Sequence, residues 1–356
     1  MANVTDAVFR AIIAKYSCTK CNDEHAQSMH SQFITWTEFT SVEALCSDGR
    51  QFAQIDLTKI DDHSPTVAQI FGSKPEQFKR VAKEIAEAKV FDGIDINMGC
   101  PEKSIEKSGA GAALMKNPKL AKEIILATKK GAGPLPVSVK TRLGYNKNEL
   151  ESWTSAILEA KPSAIIMHLR TRKEMSKVPA DWSQIEVMRK LIDQLPESER
   201  PILIGNGDVE NVEQGRALCK KYGADGVMLG RAVFGNPWLF RNAEKPSPAE
   251  GGGHKSYKSY TTYTPTVQER LEALLEHTKL YIDTFGPDRK TRKTESSELK
   301  ERDWLKNFDY MKKHYKAYCN GFTDAKELRI KLMEAESYSE IEKSVKSFTK
   351  NRKSGI

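Results

Sequence analysis

The chain of 356 residues is 39% hydrophobic and 29% charged, which is typical of a folded protein with one large domain and a smaller one. It has no apolar run of the roughly 20 residues that span a membrane and no apolar segment after its polar start, so we expect neither a membrane protein nor a secreted one. The formal net charge of +8 favours an acidic partner such as nucleic acid, although many lysine-rich enzymes have no such partner.

The first segment predicts an amphipathic helix from Ala7 to about Tyr16. Six scattered cysteines favour a reducing, cytoplasmic location over a disulfide framework. A cluster after the helix has a spacing that could hold zinc, but one compact cluster is weak evidence, and we expect a polar excursion with no metal site. The cluster consists of Cys18, Cys21, His25 and His30.

Strand and helix patterns alternate with a period of about 30 residues from residue 34 to residue 240, which predicts a parallel β/α architecture. Strands are expected at 34–39, 65–71, 93–97, 136–144, 163–170, 201–208 and 226–231, with a short extra strand at 52–57. Helices are expected at 75–89, 118–130, 150–161, 182–195 and 210–222. The count reaches eight strands only if residues at or before Met1 and Ala2 supply the first one.

The stretch from Asp95 to Pro101 presents a thiol at the carboxyl end of a short buried strand. Pro101 stops regular structure directly after Cys100, and Gly109 and Gly111 make the loop beyond it mobile or tightly turned. A thiol in this position could be a nucleophile, a general acid or a packed side chain, and the residues alone leave these three roles open.

Other polar residues lie at the ends of predicted strands. Gln69 interrupts an apolar run and therefore needs a hydrogen-bond partner. Lys140 and Arg142 suggest an anion or an electron-rich ring, with solvated edge charges as the alternative. His168 ends another apolar run, where a lone histidine is more often structural than functional. Two arginines follow it, Arg170 and Arg172.

The last two predicted strands each end in a glycine-containing segment. Gly207 and Gly230 let backbone amides approach a phosphate, and Arg231 adds charge and hydrogen-bond donors. In a (β/α)8 barrel the loops after strands seven and eight bind phosphate. The segments Asn206-Gly-Asp208 and Gly230-Arg231 therefore predict a phosphate site.

The last part of the chain changes character. Residues 242–266 are polar and contain proline and a run of glycines, which predicts a linker or long loop between domains at 1–241 and 267–356. Helices are predicted at 267–285, 300–319, 324–335 and 339–350. Four basic residues could follow a phosphate backbone, although a solvated helix face explains each of them equally well. They are Lys312, Lys313, Lys316 and Arg329.

These motifs together resemble the signature of the tRNA-dihydrouridine synthases. The resemblance rests on Asn97-Met-Gly-Cys-Pro101 and Gly109-Ala-Gly-Ala-Ala-Leu114, and it extends from Met1 to about Leu332 in family order. It implies a TIM (β/α)8 barrel with a C-terminal all-helical domain. The family usually begins with a strand that ends in Pro-Met-Ala, so the resemblance implies a truncated first strand here.

The resemblance also implies roles for individual residues. Cys100 would be the general acid. The FMN cofactor would be bound by Met1, Ala2, Gln69, Asn97, Lys140, His168, Asn206, Gly207, Asp208, Gly230 and Arg231. The substrate would be bound by Asn97, Arg170, Arg172, Lys312, Lys313, Lys316 and Arg329.

The implied activity is the reduction of uridine in tRNA to dihydrouridine, with NADPH as electron donor. Hydride would reach C6 of the base, and Cys100 would donate a proton to C5. The expected partner is tRNA, with no membrane and no obligate protein partner. Two alternatives stay open. One is a flavin barrel that reduces a free small molecule, and the other is a tRNA-binding protein in which a short first strand abolishes flavin binding.

Overall fold

The computed structural model describes residues 4–17, 33–60, 64–244, 260–287 and 306–354. Within these ranges the chain divides into two compact units. The first contains residues 33–59 and 64–232, and the second contains residues 4–17, residue 60 and the described residues from 233 onward. The domain limits at 241 and 267 stay predictions.

The first unit is built on one parallel sheet. Its strands are β1 (Thr35–Trp36), β2 (Thr40–Ser41), β3 (Thr66–Phe71), β4 (Gly93–Asn97), β5 (Val137–Arg142), β6 (Ala164–His168), β7 (Ile202–Asn206) and β8 (Gly226–Met228). They lie in the order β1-β3-β4-β5-β6-β7-β8. Both β1 and β2 pair with β3, β1 with its first two residues and β2 with its last two. Among the described residues, β1 and β8 lie at the two ends of this order.

Helices follow the strands. Helix α1 (Ala7–Ser17) belongs to the second unit. The helices of the first unit are α2 (Val42–Leu45), α3 (Arg50–Ala53), α4 (Pro75–Ala88), α5 (Lys103–Lys107), α6 (Pro118–Ala132), α7 (Leu150–Leu158), α8 (Gln184–Asp193) and α9 (Val212–Tyr222). Parallel strands in sequence order with intervening helices are the arrangement of a β/α barrel, so the predicted fold class is confirmed. Among the described residues, β1 and β8 do not pair with each other.

One predicted element is wrong. The expected short strand at 52–57 is helical, since α3 runs directly into a 3-10 helix over Gln54–Leu57. Phe52 and Ile55 are spaced by three residues, which suits a helical turn as well as a strand. A helix also satisfies its backbone hydrogen bonds locally and needs no neighbouring strand.

The sheet has two chemically different faces because side chains alternate along a strand. One face is apolar and fully buried, with Ile70, Ile96 and Val139 at 0% exposure. Its residues form a continuous core with apolar residues of the helices, such as Phe78 and Ile124. The opposite face carries the polar residues of the strands, which are therefore gathered on one side of the sheet.

The second unit is mainly helical. A short antiparallel pair joins β9 (Asn242–Glu244) to β10 (Tyr260–Thr262). Helices α10 (Val267–Phe285), α11 (Met311–Tyr318), α12 (Ala325–Glu334) and α13 (Tyr338–Ser354) follow. Helix α10 begins with a capping box in which Thr266 and Glu269 bond to each other's backbone N–H. The predicted C-terminal helical region is thus present. No helix in the described ranges is both long and apolar enough to cross a membrane.

Candidate active site

The candidate site residues of the first unit lie at the carboxyl ends of neighbouring strands. In a β/α barrel this end is where ligands bind. The pairing of the strands aligns most of them in three sets across the polar face. These sets are Gln69–Asp95–Ser138, Asn97–Lys140 and Arg142–His168–Asn206.

Asn97 fixes the turn that carries the thiol. Its Oδ1 accepts hydrogen bonds from the backbone N–H groups of Gly99 (3.1 Å) and Cys100 (3.0 Å). Arg142 braces the same turn, because its Nε donates to the Gly99 carbonyl at 2.8 Å. The backbone on both sides of Gly99 is therefore held by side chains of β4 and β5.

Gly111 brings the glycine-rich loop against this turn. The N–H of Ala112 donates to the Cys100 carbonyl at 2.9 Å. Gly111 has a φ of +59°, and a Cβ at this position would lie 2.8 Å from the Cys100 carbonyl oxygen. Only glycine allows both this backbone conformation and this close approach. Of the two expectations for this loop, mobile or tightly turned, the structure shows a tight turn at Gly111.

The Cys100 thiol is half-buried. Burial raises the pKa of Cys100, and a hydrogen bond from the Glu102 backbone N–H only partly opposes this effect. The thiol therefore stays protonated near neutral pH. A protonated thiol suits proton donation better than nucleophilic attack, which needs the thiolate.

Gln69 has the partners that its buried position requires. Its Nε2 donates to Asp95 Oδ2 at 2.7 Å, and its Oε1 accepts from Asn97 Nδ2 at 3.1 Å. Ser138 Oγ donates to the other Asp95 oxygen at 2.6 Å. The site therefore contains a buried carboxylate that our sequence-based assignment of functional residues omitted. The available signal was a charged residue in the middle of an otherwise apolar strand.

Lys140 lies on the same polar face. Its Nζ donates to Asn206 Oδ1 at 3.1 Å, and Asn206 Nδ2 donates to the Met228 carbonyl at 2.8 Å. Burial, followed by the charge of Arg142, lowers the pKa of Lys140 to about 8. The ammonium form still predominates near neutral pH, and its charge is only weakly screened by water.

His168 is neutral and has one ring nitrogen without a partner among the described residues. Burial and then the charges of Arg142, Lys140, Arg170 and Arg231 lower its pKa to about 2. Its Nε2 lies 3.4 Å from Arg170 Nη1, and an arginine can only donate. Nδ1 must then carry the proton, yet this buried atom has no acceptor in the described part of the chain. It is a donor available to a ligand.

The predicted phosphate segments are held together by Asp208. Its carboxylate forms ion pairs with Arg170 and with Arg231, the latter at 2.7 Å, and it accepts from the Ala180 N–H at 2.9 Å. Although burial opposes the effect, these partners lower the pKa of Asp208. The side chain of Arg170 is 3% exposed, whereas that of Arg231 is 73% exposed. Arg231 thus keeps surface for a ligand, and Arg170 mainly supports Asp208.

Gly207 and Gly230 each directly precede a member of this cluster, Asp208 and Arg231 respectively. Gly207 has a φ of +134°, and a Cβ there would lie 2.7 Å from the Cβ of Ala180. Gly230 directly precedes the 3-10 helix Arg231–Val233. The two segments follow β7 and β8, which are adjacent in the sheet.

Arg172 is also engaged inside the protein. It forms a bidentate ion pair with Glu106 on α5, whose side chain is 10% exposed. Lys116 Nζ lies 3.9 Å from the ring centre of Tyr145, and the Arg172 guanidinium lies 5.1 Å from the same ring. These contacts connect the loop after β6 to the helix that follows Cys100. No local sequence pattern indicates the pairing of Arg172 with Glu106.

The four basic residues assigned to the substrate in the helical region belong to the second unit. Lys313 and Lys316 are exposed on α11. Lys312 lies 3.8 Å from Asp309, and Arg329 Nη1 donates to the Cys319 carbonyl at 2.8 Å near the end of α11. Lys313 and Lys316 are therefore better placed than the other two to contact an external partner.

Some predictions fall on residues that the structure does not describe. They concern the cofactor role of Met1 and Ala2 and the possible zinc cluster of Cys18, Cys21, His25 and His30. Within the described ranges, no group of three or more potential ligands could hold a metal ion.

The comparisons with known proteins agree on one family. The family model described as "Dihydrouridine synthase (Dus)" matches residues 1–353. A probable tRNA-dihydrouridine synthase of Staphylococcus aureus (strain COL) is 35% identical over 342 residues, which cover 96% of this chain and 88% of the relative. The probable tRNA-dihydrouridine synthase 2 of Bacillus subtilis (strain 168) is 34% identical over 358 residues, which cover 100% of this chain and 94% of the relative.

Solved structures with a similar course of the chain are more distant. The old yellow enzyme homologue from Zymomonas mobilis matches 66% of this chain and 82% of its own length, with 12% identity and a TM-score of 0.42. Morphinone reductase matches 67% of this chain and 80% of its own length, with 11% identity and a TM-score of 0.43.

Proposed function

The chain belongs to the dihydrouridine synthase family, and we propose that it reduces the C5=C6 bond of uridine in tRNA, with FMN as cofactor and NADPH as electron donor. The observation that supports this most directly is the family match over residues 1–353, which includes the Cys100 loop. The names of the curated relatives support tRNA as the substrate.

The residues of the polar face suit a flavin mononucleotide. The unpartnered Nδ1–H of His168 is a buried donor that a flavin carbonyl would satisfy. Four cations lie close enough to lower the pKa of His168, and two of them, Arg170 and Arg231, pair with Asp208. A phosphate monoester, which carries about two negative charges near neutral pH, would be attracted to this group of cations.

The proposed cofactor site divides into two parts. The phosphate would be bound by Asn206, Gly207, Asp208, Gly230 and Arg231. The ring would be bound by Gln69, Asn97, Lys140 and His168, and Met1 and Ala2 would complete the site. When bound, FMN supplies the hydride equivalent that it has received from NADPH.

Lys140 would stabilise negative charge on the ring of a bound flavin. Its ammonium group is held by Asn206, and water screens it little because of its burial. Neutral His168 donates from Nδ1 and adds no positive charge of its own. These two residues together favour a bound group that carries both an acceptor and a delocalised negative charge.

Cys100 donates the proton. The reaction adds two electrons and one proton as hydride at C6, and a second proton at C5, so that uridine becomes dihydrouridine while NADPH becomes NADP+. The Cys100 Sγ holds the C5 proton because burial keeps the thiol protonated. Solvent then returns a proton to Sγ.

The uridine has to leave its stack in the tRNA to reach this face of the sheet. The helical domain at 267–356, joined by the linker at 242–266 to the catalytic domain at 1–241, binds the tRNA backbone. Its contacts would come mainly from Lys313 and Lys316, which are exposed on α11. Lys312 and Arg329, which have partners inside the protein, would contribute less. With tRNA as substrate, the protein acts in the cytoplasm.

Incubation of the purified chain with FMN, NADPH and tRNA transcribed in vitro tests the proposal. The tRNA is digested, and its nucleosides are analysed by mass spectrometry for uridine that has gained two hydrogens. Dihydrouridine that depends on both FMN and NADPH is the expected result. Oxidation of NADPH by the FMN-loaded protein without dihydrouridine in any tRNA would instead support a reductase of a small molecule.

A further inference from the structure

Asp95 is the most deeply buried charged group beside the candidate site. Its side chain lies in the middle of β4 and is 0% exposed. Both carboxylate oxygens are used, since Oδ2 accepts from Gln69 and Oδ1 accepts from Ser138. Burial without a direct ion pair is unfavourable for a carboxylate and raises its pKa to about 6. A residue in such a place needs a reason beyond packing.

The hydrogen bonds around Asp95 form a chain with one direction. Asn97 Oδ1 accepts from two backbone N–H groups, so the orientation of this amide is fixed. Asn97 Nδ2 must then face Gln69, which has to offer its oxygen, Oε1. Gln69 Nε2 consequently faces Asp95, and the chain can end only on an acceptor.

This direction determines what the site offers to a ligand. Asn97 has used both lone pairs of Oδ1 and keeps one N–H of Nδ2. Gln69 keeps one N–H of Nε2 and one lone pair of Oε1. Reversal of either amide would exchange donors for acceptors on the polar face. Reversal of Asn97 would also release the backbone N–H of Cys100.

We propose that Asp95 is a positioning residue, which ends this chain and thereby fixes the orientation of the Gln69 and Asn97 amides and of the turn that carries Cys100. The proposal rests on the proposed function in assigning those amides to the flavin. The part that concerns Cys100 is independent of the cofactor.

The charge of Asp95 has a second consequence for the same face. Lys140 on β5 is the charged group that acts on Asp95 electrostatically. The other neighbours of Asp95, Gln69 and Ser138, are neutral. Asp95 in turn opposes the effect of burial on Lys140. The variants therefore have to distinguish the effect of Asp95 on the orientation of the Gln69 and Asn97 amides from the effect of its charge.

Two substitutions make this separation. In Asp95→Asn, Oδ1 can accept from Gln69 while Nδ2 donates to Ser138, whose hydroxyl can rotate. This variant keeps the direction of the hydrogen-bond chain and removes the charge of Asp95. Asp95→Leu removes the acceptor as well. Ser138→Ala is the control, because it removes one bond to Asp95 and leaves the amides in place.

The first readout needs neither cofactor nor tRNA. The rate at which iodoacetamide alkylates Cys100 is measured in the FMN-free protein by mass spectrometry of the Cys100 peptide, with Cys219 as internal reference. Circular dichroism checks that each variant is folded. We expect Asp95→Leu to change the Cys100 rate about tenfold, and Asp95→Asn and Ser138→Ala to stay within about threefold of the original chain.

The second readout is the affinity for FMN, followed by quenching of its fluorescence. Asp95→Leu should weaken binding about tenfold, and Asp95→Asn should restore most of it. If the original chain itself binds no FMN, the proposed function fails, while the alkylation experiment still tests the role of Asp95.

Two results would overturn the proposal. One is a folded Asp95→Leu variant with the Cys100 rate and FMN affinity of the original chain. The other is an Asp95→Asn variant impaired as much as Asp95→Leu, because charge alone would then explain the effect. If Asp95→Leu does not fold, Gln69→Met breaks the same chain one bond away without removing a charge, and an unchanged Cys100 rate in that variant would be equally decisive.

Discussion

The substitution His314→Phe should make the second unit less sensitive to acid. His314 and His277 are 1% and 0% exposed, and their rings lie 4.4 Å apart beside Phe9. Three of their four ring nitrogens have no hydrogen-bond partner in the described part of the chain. Burial and the charge of Lys313 lower the pKa of His314 to about 3, and burial followed by the charge of His314 lowers that of His277 well below its usual value.

The sign of the effect follows from proton uptake. Both histidines stay neutral in the folded chain, whereas in the unfolded chain they bind protons below a pKa of about 6.5. Acid therefore favours the unfolded state as the pH falls through this value. Between about pH 7 and about pH 5.5, each histidine should lower the free energy of unfolding by about 1.2 kcal/mol. The pair together should account for about 2.5 kcal/mol.

Urea unfolding at these two pH values and constant ionic strength measures the effect. His314→Phe keeps a ring of similar shape among Phe9, Phe234 and His277, so it should fold. Its loss of stability on acidification should be smaller than that of the original chain by about 1.2 kcal/mol. The control is Tyr315→Phe, which removes a buried hydroxyl and no group that binds a proton in this range. The reasoning is refuted if His314→Phe and the original chain lose the same stability.

Three further predictions concern the first unit. Cys100→Ala should retain FMN binding and lower the rate of dihydrouridine formation about 100-fold or more, and a variant with the original rate would remove the acid role. Lys140→Ala should weaken FMN binding about tenfold in a fluorescence titration, since a weakly screened charge is lost, and unchanged affinity would contradict this role. Gly111→Ala should destabilise the chain to urea by about 1–2 kcal/mol more than Gly223→Ala does. Both glycines have a positive φ, but a Cβ at Gly223 would make only an ordinary contact, at 3.8 Å from Arg189 Cγ, so equal losses would exclude the steric explanation.

The order of strands and helices could be predicted from the sequence because it follows from local patterns. Strand β4 and helix α10 begin and end at the expected residues, since β-branched alternation marks the first and a capping sequence marks the second. The segment at 52–57 was predicted wrongly because its apolar spacing suits a helical turn as well as a strand.

The arginines show where local patterns are insufficient. The family resemblance implied that Arg170 and Arg172, which follow an apolar strand, bind the substrate. In the structure Arg170 pairs with Asp208 and Arg172 pairs with Glu106, at sequence separations of 38 and 66 residues. A sequence pattern identifies a charge but not the distant residue that neutralises it.

Periodicity and short motifs are properties of neighbouring residues, and they were sufficient to predict the fold class, the family and the position of Cys100 at the end of a buried strand. The connections between the polar residues depend on tertiary contacts and could not be predicted in this way. Asp95 bonds to Gln69 and to Ser138, which are 26 and 43 residues away. Parallel pairing of the strands brings these residues into register, and the requirement that each buried donor meets an acceptor then fixes their orientation.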